Sequence, residues 1–187
     1  MSLLLFFDVE TTGIDKVNDR IVQIAWILAD TNGESLIERS FILRSDGYKI
    51  PGIVSKIHGI TDEISMLKGV ERASVFSELA QTCANVSRIV AHNINFDIAF
   101  LRAECIRLKQ HRIFDSVPLY CTMTSSSAYC ALPHLNGRAG IKWPRLEELH
   151  YRLFGRYFSG AHDAMVDTRI TKKCYFELLN RGVIDHI

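Results

Sequence analysis

Apolar residues along this chain keep two different periods, and the change falls near residue 74. Leu3 to Val9 is a short, almost wholly apolar run, suited to a strand buried on both faces. Arg20 to Asp30 is rich in Ile and Val and carries a Trp, and Asn32 with Gly33 then signals a turn. Ser35 to Leu43 alternates as the returning strand, so the first third predicts an antiparallel meander. Residues 44–73 contain Gly47, Pro51, Gly52, Gly59 and Gly69 and predict an irregular segment with one short helix near Asp62.

From residue 74 the period is helical, with Val75, Leu79 and Ala80 on one face, followed by a strand at Arg88 to Ala91. A second helix is predicted from Asn95 to Lys109, its apolar side built from Phe96, Phe100, Leu101, Ala103, Cys105 and Leu108. A strand over Phe114 to Cys121 comes next, then the polar run TSSS at 124–127 and a loop holding Pro133, Asn136, Gly137 and Gly140. The last helices are Arg145 to Phe154 and Asp163 to Arg181, the latter stopped by Gly182. The order βββ-α-β-α-β-α-α predicts an α/β fold, a mixed five-stranded sheet flanked by helices through right-handed crossovers. With no repeat, linker or low-complexity segment, residues 1–187 are expected to form one domain.

Composition narrows the class. Hydrophobic residues at 48% and charged residues at 23% exclude a disordered, collagen-like or coiled-coil chain. No apolar run approaches the roughly 18–20 residues of a membrane span, and the opening MSLLLFFDVE lacks the basic start of a signal peptide. A soluble, cytoplasmic protein is expected. The five cysteines are odd in number and contain no CxxC pair, so neither a disulfide framework nor a zinc knuckle is predicted. The net charge of +1 divides into −4 over residues 1–100 and +5 over the remainder. That is not the footprint of a strongly basic nucleic-acid binder, so any polyanion has to be held by local basic patches or by metal ions.

Four acids stand on or beside apolar stripes. In FFDVETTG, residues 6–13, Asp8 and Glu10 are two apart at the end of a strand and leave the same face. Adjacent carboxylates on the rim of a core resist ionising unless a cation is present, which suggests a metal; a lone DxE would merely mark where the strand meets solvent. Thr11, Thr12 and Gly13 form a tight turn whose amides could meet a phosphate. In HNINFDIAFL, residues 92–101, Asp97 shares a helix face with Phe100, Leu101 and Leu108 and so points inward, although alone it would read as an acid at a helix N-terminus. In GAHDAMVDTRI, residues 160–170, Asp167 edges another apolar stripe. His162, five residues earlier, would stand about 140° away on an ideal helix, which places it in the preceding loop with Asp163 as N-cap.

Together, FFDVETTG, NFDIAFL and HDAMVDT resemble, in order and spacing, the three motifs of the DEDD exonuclease superfamily in its His-containing branch. That branch includes the proofreading epsilon subunit of bacterial DNA polymerase III, ribonuclease T and oligoribonuclease, and the resemblance spans residues 3–180. It implies a ribonuclease H-like fold, metal ligation by Asp8, Glu10, Asp97 and Asp167, and His162 as general base. It also implies that His58, in KIHGIT, and Phe96 lie against the terminal nucleotide.

Four ionised carboxylates balance two divalent cations, and oxygen ligands favour Mg²⁺ or Mn²⁺. The leading expectation is a 3′-to-5′ exonuclease on DNA that releases nucleoside 5′-monophosphates by a two-metal mechanism. Trimming of RNA 3′ ends or degradation of short oligoribonucleotides is the alternative, and a non-catalytic polymerase-associated binding module a third; the last predicts loss of a ligand or of the His, and all five residues are present. Single-stranded DNA or RNA 3′ ends are the expected partners, with a polymerase subunit as a further candidate, although the sequence after the last motif helix offers no obvious recruiting tail. Arg138, Lys142 and Arg145 are candidate backbone contacts, or simply an ordinary solvated loop. Oligomeric state is not legible.

Overall fold

The apolar run at the start of the chain becomes the central strand of a sheet in the computed structural model, which describes residues 2–110 and 113–185. The strands are β1 (Leu3–Thr11), β2 (Ile21–Asp30), β3 (Ser35–Ile42), β4 (Val86–Ala91) and β5 (Leu119–Cys121). Their order is β3-β2-β1-β4-β5, with β1–β2 and β2–β3 antiparallel and β1–β4 and β4–β5 parallel. The expected mixed five-stranded sheet is therefore present.

Both faces of β1 are covered, which is why its sequence does not alternate. Leu5, Phe7 and Val9 pack against α3 (Arg72–Cys83) and α4 (Ile94–Arg107), meeting Phe76, Leu79, Ile98 and Phe100. Leu4 and Phe6 face the other way, onto α7 (Leu146–Phe154) and α8 (Ala164–Asn180), meeting Leu149, Tyr175 and Leu178. Burying each of Phe6 and Phe7 contributes about 1.5–3 kcal/mol. Asp8 and Glu10 continue the even-numbered series and emerge on the α8 face as β1 leaves the core.

Four local expectations are corrected. Residues 44–73 hold two helices rather than one, α1 (Gly52–His58) and α2 (Asp62–Lys68). Gly59, at φ 75°, ends α1 in the left-handed conformation, and the Thr61 hydroxyl caps α2 by accepting from Ile64 N at 3.2 Å. Helix α3 begins at Arg72, earlier than the apolar period shows, because the Glu71 carboxylate accepts from the Ala73 and Ser74 amides. The strand expected over Phe114 to Cys121 is cut to β5: Ile113–Ser116 is a 3₁₀ turn, and Pro118 brings only its carbonyl, accepting from Ile89 N at 2.9 Å. The TSSS run is not a loop but the short helices α5 (Thr122–Ser125) and α6 (Ser127–Cys130). Its hydroxyls donate one turn back, Ser126 Oγ to Thr122 O at 2.7 Å and Ser127 Oγ to Met123 O at 2.9 Å.

Glu104 of α4, 0% exposed, ties the site's surroundings together. Its carboxylate pairs with Arg20 at 2.7 Å, Arg107 at 3.0 Å and Arg72 at 3.7 Å. The Arg107 guanidinium also donates to the Val17 carbonyl at 2.7 Å, so one buried acid holds the middle and the far end of the loop between β1 and β2 against α4. Among the described residues no helix is long and apolar enough to cross a membrane.

Candidate active site

Three elements deliver the acids to one place. Asp8 and Glu10 lie at the end of β1, and Asp97 stands in the first turn of α4, entered through Asn93 at φ 70°, a left-handed position that Asn tolerates. Asp167 occupies the first turn of α8. The start of α8 is anchored by Gln23 on β2, the register partner of Glu10. Gln23 Nε2 donates to Asp163 Oδ2 at 3.1 Å, and Gln23 Oε1 accepts from Ala164 N at 3.2 Å. Asp163 is the N-cap expected from the sequence, its Oδ1 accepting from Met165 N and Val166 N at 3.0 Å each.

His162 lies in the loop before α8, as its spacing requires, in the left-handed region at φ 68°. Its amide donates to Asp167 Oδ2 at 2.9 Å, which fixes the exposed imidazole beside the carboxylates. Ligand atoms of Glu10, His162 and Asp167 all lie within 4.8 Å of one another.

Electrostatics join Asp8 and Asp97 to this group. Burial raises the Asp8 pKa well above the ordinary carboxylate range, and the charges of Asp97, Asp167, Glu10 and Asp163 raise it further. Burial, then Asp167 and Asp163, push Glu10 up to about 8. Asp97 is also pushed up to about 8, chiefly by burial, although backbone N–H groups of Asp97 and Val9 oppose the shift. Asp167 rises to about 6 by burial, tempered by the His162 amide and side chain. One Asp167 oxygen, Oδ1, is buried without any hydrogen-bond partner. Crowded acids with an orphaned oxygen are a poor arrangement for the bare chain and a suitable one for divalent cations held by oxygen ligands.

The other expected site residues divide. His58 ends α1 with Nδ1 accepting from Ile60 N at 3.1 Å, so Nε2 carries the proton. That N–H is buried and faces the Thr11 backbone without closing a well-formed bond. Burial lowers the His58 pKa, the Thr11 backbone opposes this, and His162 adds to the lowering, so His58 shares the site's surroundings. Phe96 is half-buried, its ring 4.9 Å from Phe100, and with Ile14, Asn95 and Ala99 it lines a cavity of about 230 Å³ whose walls include none of the four acids. The Thr11–Gly13 turn is more committed than expected. Thr12 N donates to Arg20 O at 2.9 Å, which removes that amide as a phosphate donor, and the Thr12 hydroxyl donates to Asp19 at 2.8 Å. A Cβ on Gly13 would come within 2.3 Å of Asp19 Oδ2, so any other residue there would push aside the carboxylate that the Thr12 hydroxyl and the Asp15 amide hold. Of the three loop cations, Lys142 is paired with Glu148 at 2.7 Å, and Arg145 approaches Glu147 and Glu148 at 3.7 and 3.8 Å.

A sequence model of exonucleases, RNase_T, matches residues 5–175, nearly the whole chain. The chain belongs to the exonuclease family. The DNA polymerase III epsilon subunit of Treponema pallidum is 32% identical to this exonuclease domain over 179 residues, covering 92% of this chain and 74% of that one. An epsilon-like protein of Rhodobacter capsulatus is 29% identical over 92% of this chain, which spans only 23% of it. Among solved structures, the zinc-bound complex of E. coli exonuclease I with single-stranded DNA superposes with a TM-score of 0.81 at 26% identity, covering 97% of this chain and 41% of that one. The exonuclease domain thus spans about two fifths of exonuclease I. The sheet and its flanking helices are those of the ribonuclease H-like fold, and the domain is a 3′-to-5′ exonuclease of the epsilon-like kind.

Gln23, Asp19 and Glu104 do not stand out in the sequence, yet they shape the site. Glu104 left one trace: seven residues after Asp97, it falls on the same inward helix face.

Proposed function

We propose that residues 1–187 act as one domain that removes nucleotides from single-stranded DNA 3′ ends as nucleoside 5′-monophosphates, using Asp8, Glu10, Asp97 and Asp167 to hold two Mg²⁺ or Mn²⁺ ions. The observation that carries this reading is the gathering of four carboxylates from three segments, all with raised pKa values, around an unpartnered Asp167 oxygen. When bound, such ions supply Lewis-acid stabilisation of the attacking and leaving oxygens.

The chain's own residues supply the rest. The carboxylates are set before substrate arrives, because β1 is locked in the sheet and α8 is pinned by Gln23. His162 takes a proton from the attacking water, a task that suits an imidazole near neutral pH. Its ring is exposed and can pass that proton to solvent, while its amide keeps it beside Asp167. His58 sits beside the end of β1, and its buried Nε2–H would have to turn from the Thr11 backbone to bond a phosphate or sugar oxygen of the terminal nucleotide. Phe96 offers its ring to the terminal base. The likeness to epsilon supports a polymerase as binding partner, and the single-stranded DNA held by exonuclease I supports DNA as substrate.

The test is a gel of 3′- and 5′-labelled DNA and RNA oligonucleotides with Mn²⁺ and an EDTA control. Labelled mononucleotide from the DNA 3′ end, a shrinking ladder from the 5′ label and silence in EDTA are expected. No mononucleotide from either polymer would leave a binding module in place of the enzyme.

A further inference from the structure

Trp26 is 0% exposed and central to the core, whereas Trp143 is 63% exposed. An indole in water on a mobile loop would be unremarkable, but this one is mounted firmly on both sides. Lys142 N donates to Leu132 O at 2.8 Å, and Pro133 bridges to Ile141. On the other side the Pro144 carbonyl meets His92 Nε2 at 3.0 Å, and His92 Nδ1 meets the Thr122 hydroxyl at 3.0 Å. Because a carbonyl only accepts, the His92 proton sits on Nε2, and burial holds the ring neutral by pushing its pKa down to about 4. Among the described residues the Trp143 ring stacks on no aromatic side chain and its Nε1 bonds to nothing.

Trp143 lines two cavities. One, of about 460 Å³, reaches His162 and Asp167 and is walled by Met123 and Phe158. The other, of about 490 Å³, is lined by His134, Arg138, Ile141 and Lys142. Lys142 spends its charge on Glu148, which leaves Arg138 as the cation facing this second space. A path therefore runs from the acidic site, across a fixed and unpartnered indole, into a basic recess. Apolar ring and cation in sequence are what a single-stranded polynucleotide engages, base on the ring and phosphate on the guanidinium.

Resting on the exonuclease reading, we propose that Trp143 is the stacking platform for a base upstream of the scissile phosphate and that Arg138 holds the phosphate beyond it. Paired bases are already stacked on their neighbours, so the platform takes unpaired 3′ ends of DNA or RNA.

Two probes separate this proposal from the reading beneath it. The first is an octathymidylate, or octauridylate, with phosphorothioate 3′ linkages that keep it intact. It should quench the acrylamide-accessible tryptophan emission, which belongs to Trp143 because Trp26 is buried. Quenching by either polymer supports the platform, and the ratio of the two affinities gives its sugar preference. The second probe is thymidine 5′-(4-nitrophenyl) phosphate, which has no upstream base and serves as the reference for catalysis. In Trp143→Ala kcat/KM on octathymidylate relative to that on the ester should fall roughly 5- to 150-fold, the stacking range for one base. Trp143→Phe should recover most of the ratio. If the parent turns over the ester, yet the oligonucleotides do not quench it and the ratio is unchanged in Trp143→Ala, the platform is refuted while the exonuclease reading stands. If the parent hydrolyses neither substrate, the exonuclease reading itself fails.

Discussion

Gln23 Nε2 donates to Asp163 Oδ2 at 3.1 Å across 140 residues of chain, joining the strand opposite Glu10 to the cap of the helix that carries Asp167. The two outer members of the proposed metal site are thereby set by one amide. Gln23→Leu keeps the volume but strands the Asp163 oxygen and the buried Ala164 N–H. Urea unfolding should show a loss of about 1–3 kcal/mol, and kcat should fall with it as Asp167 loosens. Unchanged stability and turnover would remove Gln23 from the scaffold of the site.

His162→Ala should lower kcat by ~10²–10⁴. A rate equal to the parent's would exclude His162 from proton transfer.

Asp167→Asn retains an oxygen to accept from His162 N but removes a charge that the metal-free site resists. Metal-dependent turnover should be lost, while metal-free stability at pH 8 should rise on the order of 1–3 kcal/mol. Melting well below the parent would assign Asp167 a structural role instead.

The parts of this architecture legible in the sequence are those whose cause is local. Leu3 to Val9 announces a doubly buried strand, and Asp97 and Asp167 announce themselves as acids on apolar helix faces. The serine run at 124–127 misleads because its hydroxyls can bond back to the preceding turn of helix as readily as to water, and tertiary contacts decide between them. Pro118, with no N–H for the ladder, shortens the last strand although apolar residues surround it in the sequence. Gln23 and Glu104 are illegible for a different reason. Gln23's partner Asp163 lies 140 residues away, and although Arg107 is near Glu104 in sequence, the bond from Glu104 to Arg20 spans 84 residues, beyond any local window.

Metal-free stability should depend on pH in a defined direction. Glu10 and Asp97 hold their protons up to about pH 8 when folded, whereas an unfolded carboxyl releases its proton near pH 4. Their contribution is therefore complete below about pH 4 and is lost as pH rises through about 8, because the unfolded chain binds fewer protons over that interval. Calorimetry of EDTA-treated protein should show Tm falling between pH 5 and 8.5, with Mn²⁺ raising Tm most at the alkaline end. A Tm that climbs over this range without metal would contradict the raised pKa values.

The convergence of Asp8, Glu10, Asp97 and Asp167 on shared cations is tested most directly by counting them. Isothermal titration of the metal-free domain with Mn²⁺ at pH 8 should give two ions per chain, with proton release, and Asp8→Asn and Asp97→Asn should each weaken or abolish that binding. A parent that takes up no Mn²⁺, or variants that bind it as the parent does, would contradict the account.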